Sequence, residues 1–169
     1  MRTRREKLVL ITLLFTLAVG FITRMGWPTL AEFKRDEATV ARQAQAIAYE
    51  GYLPVTGVDS SLGIDNLPLT LYLMALPIRL WPDPLSAVLF TGLLNSLALL
   101  ACYVIGKTFF NRNVALIATW LFAINPWAIL YARKIWCRTL PLFTLGFMAS
   151  LFYTFIHGKR WALVGAFIS

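Results

Sequence analysis

Apolar stretches long enough to cross a lipid bilayer constrain this chain more than any other feature. They cover residues 8–23, 85–106, 113–131 and 139–157, with a further run at 67–82 and an incomplete one at 161–169. A helix rises about 1.5 Å per residue, so about 20 apolar residues match a hydrocarbon core about 30 Å thick. Charged residues make up only 14% of the chain and hydrophobic ones 59%, whereas a soluble domain usually carries about 25% charged residues. One soluble core of 169 residues would have almost no polar surface to cover it. The expected fold class is therefore all-α: a polytopic transmembrane helical protein in the cell membrane, with one membrane domain over residues 1–169.

The net charge of +8 raises nucleic acid as a partner. The basic residues, however, stand in short groups at the ends of apolar runs and not as a stripe on a soluble face, so no nucleic acid is expected. Cys102 and Cys137 lie in or beside apolar segments without metal-ligand spacing and read as small hydrophobes. His157, ahead of Gly158-Lys159-Arg160, reads as an interfacial residue. Met1-Arg2-Thr3-Arg4-Arg5-Glu6-Lys7 before the run 8–23 has the form of a signal peptide. That run is longer than a usual signal core and no small-residue cleavage pattern follows, so it is expected to remain as a first helix with a cytoplasmic N-terminus. The closing run 161–169 would rise only about 14 Å as helix, as if the chain continued into a longer protein.

Orientation turns on residues 67–82. Pro68 and Pro77 each remove a backbone donor, and the second should kink or break a helix. The segment is expected to lie at the interface, with Leu, Met and Ile inward and Tyr72, Arg79 and Trp81 near the headgroups. An outer loop 24–84 follows from that choice. The 16 basic residues then divide eight and eight between the two sides, and they still do if 67–82 crosses, so the positive-inside rule does not decide. If it does not cross, Asp36 and the stretch Tyr131–Arg138 share the outer compartment. If it crosses, they are separated.

The loop carries Glu32, Asp36, Glu37, Glu50, Asp59 and Asp65 beside an otherwise hydrocarbon-soluble chain. From Asp36 to Glu50 the residues are strong helix formers, with Val40, Ala44, Ile47 and Ala48 to one side. That pattern predicts a short amphipathic helix along the membrane, ended by Gly51. Asp36 falls at or next to the helix N-terminus, where exposed amides favour a carboxylate. Two readings stand here: a helix cap and a catalytic carboxylate.

The order of these segments resembles a known family. A first helix leads to Arg35-Asp36-Glu37-Ala38 and the amphipathic helix. Then come Asn66-Leu67-Pro68-Leu69, Gly106-Lys107-Thr108-Phe109-Phe110, and Asn125-Pro126-Trp127 running into Tyr131-Ala132-Arg133-Lys134-Ile135-Trp136. Over essentially all 169 residues this resembles the N-terminal part of the GT-C-like polytopic glycosyltransferases that use a polyprenyl-phosphate sugar. These include the dolichyl-phosphate-mannose protein mannosyltransferases and the lipid A aminoarabinose transferase-like enzymes. The resemblance implies inverting transfer from a lipid-phosphate sugar donor to an acceptor hydroxyl on the outer face. It makes Asp36 the catalytic carboxylate, acting as general base, with Glu37 second. A hydroxyl needs a carboxylate in hydrogen-bond reach to take its proton, and the lipid phosphate that leaves needs cationic donors. Arg133, Lys134 and Arg138 are the residues expected to hold that phosphate.

Two departures from the family stand out. Asn66-Leu67 replaces a lysine that many members carry before the prolines, and Arg138-Thr139-Leu140 holds no acidic residue after the Tyr-Ala-Arg stretch. No cofactor is required by this reading, and a divalent metal remains compatible with it; the sequence names neither the sugar nor the acceptor. The alternatives are a transporter or permease fragment and a non-catalytic membrane assembly protein. Transporters place polar groups in broken helices near the bilayer midplane. Here the apolar runs hold few, Asn95 and Ser96 foremost, and the charges sit at the ends.

Overall fold

The computed structural model describes residues 4–59, 66–136 and 141–158, and every regular element among them is helical. Among the described residues two helices are long and apolar enough to cross a membrane: α1, Arg4–Met25, and α4, Pro84–Phe109. At about 1.5 Å per residue they measure about 33 and 39 Å. α5 (Arg112–Ile124) and α7 (Pro141–His157) are shorter.

These four helices form an up-and-down arrangement. A Cβ on Gly92 of α4 would stand 2.8 Å from the Met25 sulfur and 3.1 Å from the Arg24 carbonyl oxygen, so only glycine lets the end of α1 approach the start of α4 so closely. Further along, Gly20 meets Leu99, which makes α1 and α4 antiparallel. At the opposite end Gly106 lies against the backbone of Ala115, closing the α4–α5 hairpin. Asn111 turns that corner: its Oδ1 accepts from the amides of Asn113 and Val114, both at 3.0 Å. α5 therefore runs parallel to α1, and the stacked rings of Phe15 and Trp120, 5.9 Å apart, tie the two together. α7 runs alongside α4, with Phe152 against Phe109 and Phe110.

The stretch 113–131, expected as one helix, is two. α5 stops at Ile124, the chain extends at Asn125, and a six-residue helix, α6 (Pro126–Tyr131), begins in a new direction. Pro126 cannot donate into the preceding turn, and Asn125 caps α6 instead by accepting from the Ala128 amide at 3.0 Å.

A second layer packs at the end of the bundle where α1 finishes and α4 starts. It contains α2, Arg35–Gln45, a π-helical turn, Ala46–Glu50, and α3, Leu69–Leu80. Gly51 ends the second of these at φ 70°, a left-handed conformation that glycine adopts without a Cβ clash. Val40, Ala44, Leu71, Met74, Ile78, Ala87, Val88 and Ile135 form one buried apolar cluster joining α2, α3 and α4. Leu71, Met74 and Ile78 face inward as the sequence suggests, and Tyr72 and Arg79 have partners within the chain. The Tyr72 hydroxyl donates to the Pro54 carbonyl at 3.0 Å, and Arg79 donates to the Ala48 carbonyl at the end of the π-helical turn. In return the Tyr49 hydroxyl donates to the Ile78 carbonyl, 2.7 Å away, near the end of α3. Each of these helix ends is capped by a side chain of the other.

Candidate functional site

The same reciprocal capping holds the bundle together beside the candidate site. A helix leaves its last carbonyls without amide partners. At the end of α5 the break at Asn125-Pro126 orphans those of Phe122 and Ala123. Arg24, only 2% exposed, supplies the missing donors from α1: Nη2 to Phe122 O at 2.8 Å and Nη1 to Ala123 O at 3.0 Å. Its guanidinium also lies 5.2 Å from the centre of the Phe122 ring. Arg133 does the converse. From beyond α6 its Nη2 donates to the Thr23 carbonyl at the end of α1, at 2.6 Å.

A cleft of about 710 Å³ opens next to this clasp. Leu30, Ala31, Ile124, Pro126, Ile129 and Leu130 make its apolar walls, and Glu32, Arg133 and Lys134 are its charged lining. Glu32 is shared between two ammonium groups, with one carboxylate oxygen on Lys34 and the other on Lys134. Those two hydrogen bonds, Lys134's first, hold its carboxyl down at a pKa of about 2. Lys134, with its side chain 15% exposed, has its pKa raised chiefly by the bond to Glu32, and the charges of Glu32 and Glu37 add to the effect. Its ammonium also stands 5.7 Å from the centre of the Tyr131 ring. Apolar walls with adjoining cations suit an amphiphile with an anionic head.

The adjoining carboxylates of α2 differ in what they do. Glu37, 1% exposed, accepts from the Lys34 amide at 3.0 Å, which is one half of a capping box and fixes the start of α2. Asp36, one position earlier, is exposed and makes no hydrogen bond or ion pair among the described residues. Of the two readings of Asp36, the cap belongs to its neighbour.

The structure thus brings Glu32, Glu37, Arg133 and Lys134 together and leaves Asp36 on the exposed side of the first turn of α2. Arg138 lies outside the described residues, as do Asp65 and the run 161–169. Arg133 and Lys134 both have partners within the chain, a backbone carbonyl and a carboxylate. Their place at this end of the bundle is therefore explained in part without a ligand. Arg24 was not singled out by the sequence, and Glu32 only as one of the loop carboxylates; the partners that tie them across the site, Ala123 and Lys134, lie about a hundred residues away. Among the described residues no three His, Cys, Asp or Glu side chains gather closely enough to hold a metal ion. No protein-family model, curated protein or solved structure matches the chain.

Proposed function

We propose that this chain carries the donor end and the acidic loop of a membrane glycosyltransferase that moves a sugar from a polyprenyl phosphate to an acceptor hydroxyl. One observation carries the reading: the apolar cleft with Lys134 and Arg133 adjoins the helix that bears Asp36 and Glu37. The polyprenyl tail lies along the Leu30–Leu130 walls, and its phosphate meets the cations as charge develops on the leaving oxygen. Asp36, unencumbered and at the surface, takes the acceptor proton. Glu37 positions it by fixing the first turn of α2.

In this reading α1 and α4 cross the bilayer, with α5 and α7 beside them and the N-terminus in the cytoplasm. The exposed apolar side chains of α1, among them Leu8, Ile11, Phe15 and Ile22, support that placement, since soluble proteins rarely leave such surfaces open. The polar side chains of α4 point away from a transport role: Thr91, Asn95 and Ser96 each donate to a carbonyl of their own helix, four residues back. A cysteine at position 111, in a background lacking Cys102 and Cys137, should stay unlabelled by an impermeant thiol reagent in intact cells. Labelling there would reverse the orientation and put the cleft in the cytoplasm.

The activity is tested by transfer of labelled sugar from polyprenyl phosphate in membranes containing the full-length protein. Asp36→Asn should lower turnover by about 10²–10⁴-fold, the usual cost of removing a general base, with the protein still folded. Normal turnover in Asp36→Asn, or a preference for nucleotide sugar over lipid-phosphate sugar, would end the proposal.

A further inference from the structure

Two cations line the cleft, and they are held differently. Arg133 is tied to the Thr23 carbonyl as part of the helix clasp. Lys134 is held by a carboxylate, Glu32, which follows directly on the wall residues Leu30 and Ala31. One short stretch of chain between α1 and α2 therefore supplies both an apolar wall and the negative charge that neutralises the cation beside it. A carboxylate and a phosphate compete for the same ammonium, because each is satisfied by the same short charge-assisted hydrogen bond.

We propose that Glu32 is a resident counter-anion, which occupies Lys134 until the phosphate of a lipid headgroup displaces it. This rests on the reading of the cleft as a site for a phosphate-bearing lipid. Displacement does not strand the carboxylate, since Glu32 keeps its second partner, Lys34, which is largely exposed. Two consequences follow. A headgroup without a phosphate leaves Lys134 with Glu32, so the cleft rejects the neutral lipid alcohol. Loading also frees the connection that leads through Lys34 to Asp36, so donor arrival is felt at the start of α2.

The probe is an unglycosylated polyprenyl phosphate, bound to the full-length protein in lipid nanodiscs, with polyprenol as the neutral comparison. Losing the competitor should tighten binding, so Glu32→Gln is expected to bind polyprenyl phosphate about 10-fold better, the scale of one hydrogen bond to a charged group. Lys134→Gln should weaken it by a similar factor. In the Lys134→Gln background the Glu32→Gln change should then shift affinity by less than about 2-fold, because the coupling partner is gone. If Glu32→Gln binds no better while the wild type binds and Lys134→Gln does not, the counter-anion role falls and the cleft reading stands. If the wild type and Lys134→Gln bind alike, both fall. A readout without a charge change is a spin label at position 33, introduced as Phe33→Cys in a background lacking Cys102 and Cys137. Polyprenyl phosphate should raise its mobility, and unchanged mobility on saturation would overturn the displacement.

Discussion

The α2–α3 layer and the long helices beside it bury opposite kinds of side chain. In the layer the inward residues are Val40, Ala44, Leu71, Met74 and Ile78, and α2 turns Arg35, Asp36 and Arg42 outward. In α1 the buried residues are Thr16, Gly20 and Arg24, while Leu8, Ile11, Phe15 and Ile22 are exposed. α5 repeats the inversion, burying Ala115, Thr119 and Ala123 and exposing Ile117 and Leu121. Within the layer α2 sets a polar outer face against an apolar centre, while α3 exposes Leu69, Leu76 and Leu80. The long helices meet through small residues and internally bonded hydroxyls, such as Thr16 to the Thr12 carbonyl at 2.8 Å, as helices do when their outer solvent is hydrocarbon. The cleft lies where the two regions meet, at the end of the bundle and beside the start of α2.

The contrast can be broken hardest at Arg24. Arg24→Leu removes the donors of the Phe122 and Ala123 carbonyls, and each buried acceptor left alone costs about 1–3 kcal/mol, so a loss on the order of 2–6 kcal/mol is expected. Thermal unfolding in detergent or nanodiscs measures it, and Arg24→Lys should recover only part because one ammonium cannot reproduce the guanidinium fork. A loss below about 1 kcal/mol would mean that the clasp does not hold α5 to α1.

The next effect separates the two regions directly. Met74 is 0% exposed in the layer, and Ile11 is 62% exposed on α1. Met74→Ala should cost about 2–5 kcal/mol through lost contacts and a cavity. Ile11→Ala, in the same membrane mimetic, should stay within about 0.5 kcal/mol, since its side chain is mostly exposed and has little packing to lose. Equal costs would show that α1 is covered by something in the folded protein, and the inside-out description of the bundle would fail.

The smallest effect concerns the tie between the two regions. The Glu32 carboxyl titrates at about 2 in place of 4.5 because Lys134 and Lys34 bind its charged form. A depressed folded-state pKa stabilises the fold above the unfolded value, so this contribution is intact above about pH 4.5 and fades as pH falls towards 2. Glu32→Gln should flatten that part of the stability–pH curve and leave the neutral region little changed, because partly exposed ion pairs contribute little. A wild-type curve with the same acid limb as Glu32→Gln would remove the pair from the stability of the layer.

Much of the local structure was legible because its causes are local. The apolar runs announced α1 and α4, and the spacing of Val40, Ala44 and Ala48 announced α2 and the π-helical turn that continues it, with Gly51 as the stop. The break at Asn125-Pro126 was present in the sequence, yet the apolar composition of 113–131 hid it, since hydropathy does not register a missing amide. The acidic residues near α2 were visible as a group, but their division of labour was not. Asp36 and Glu37 differ by one position, about 100° around a helix, and only the packing of α2 decides which of them is buried. The pairings of Arg24 with α5, Arg133 with α1 and Glu32 with Lys134 depend on tertiary structure. Arg24 reaches carbonyls 98 and 99 residues away and Arg133 one that is 110 residues away. A chain folded as helices leaves its unsatisfied carbonyls at helix ends. Which cation meets which end is set by how the helices pack, and that pairing decides which charged side chains line the cleft.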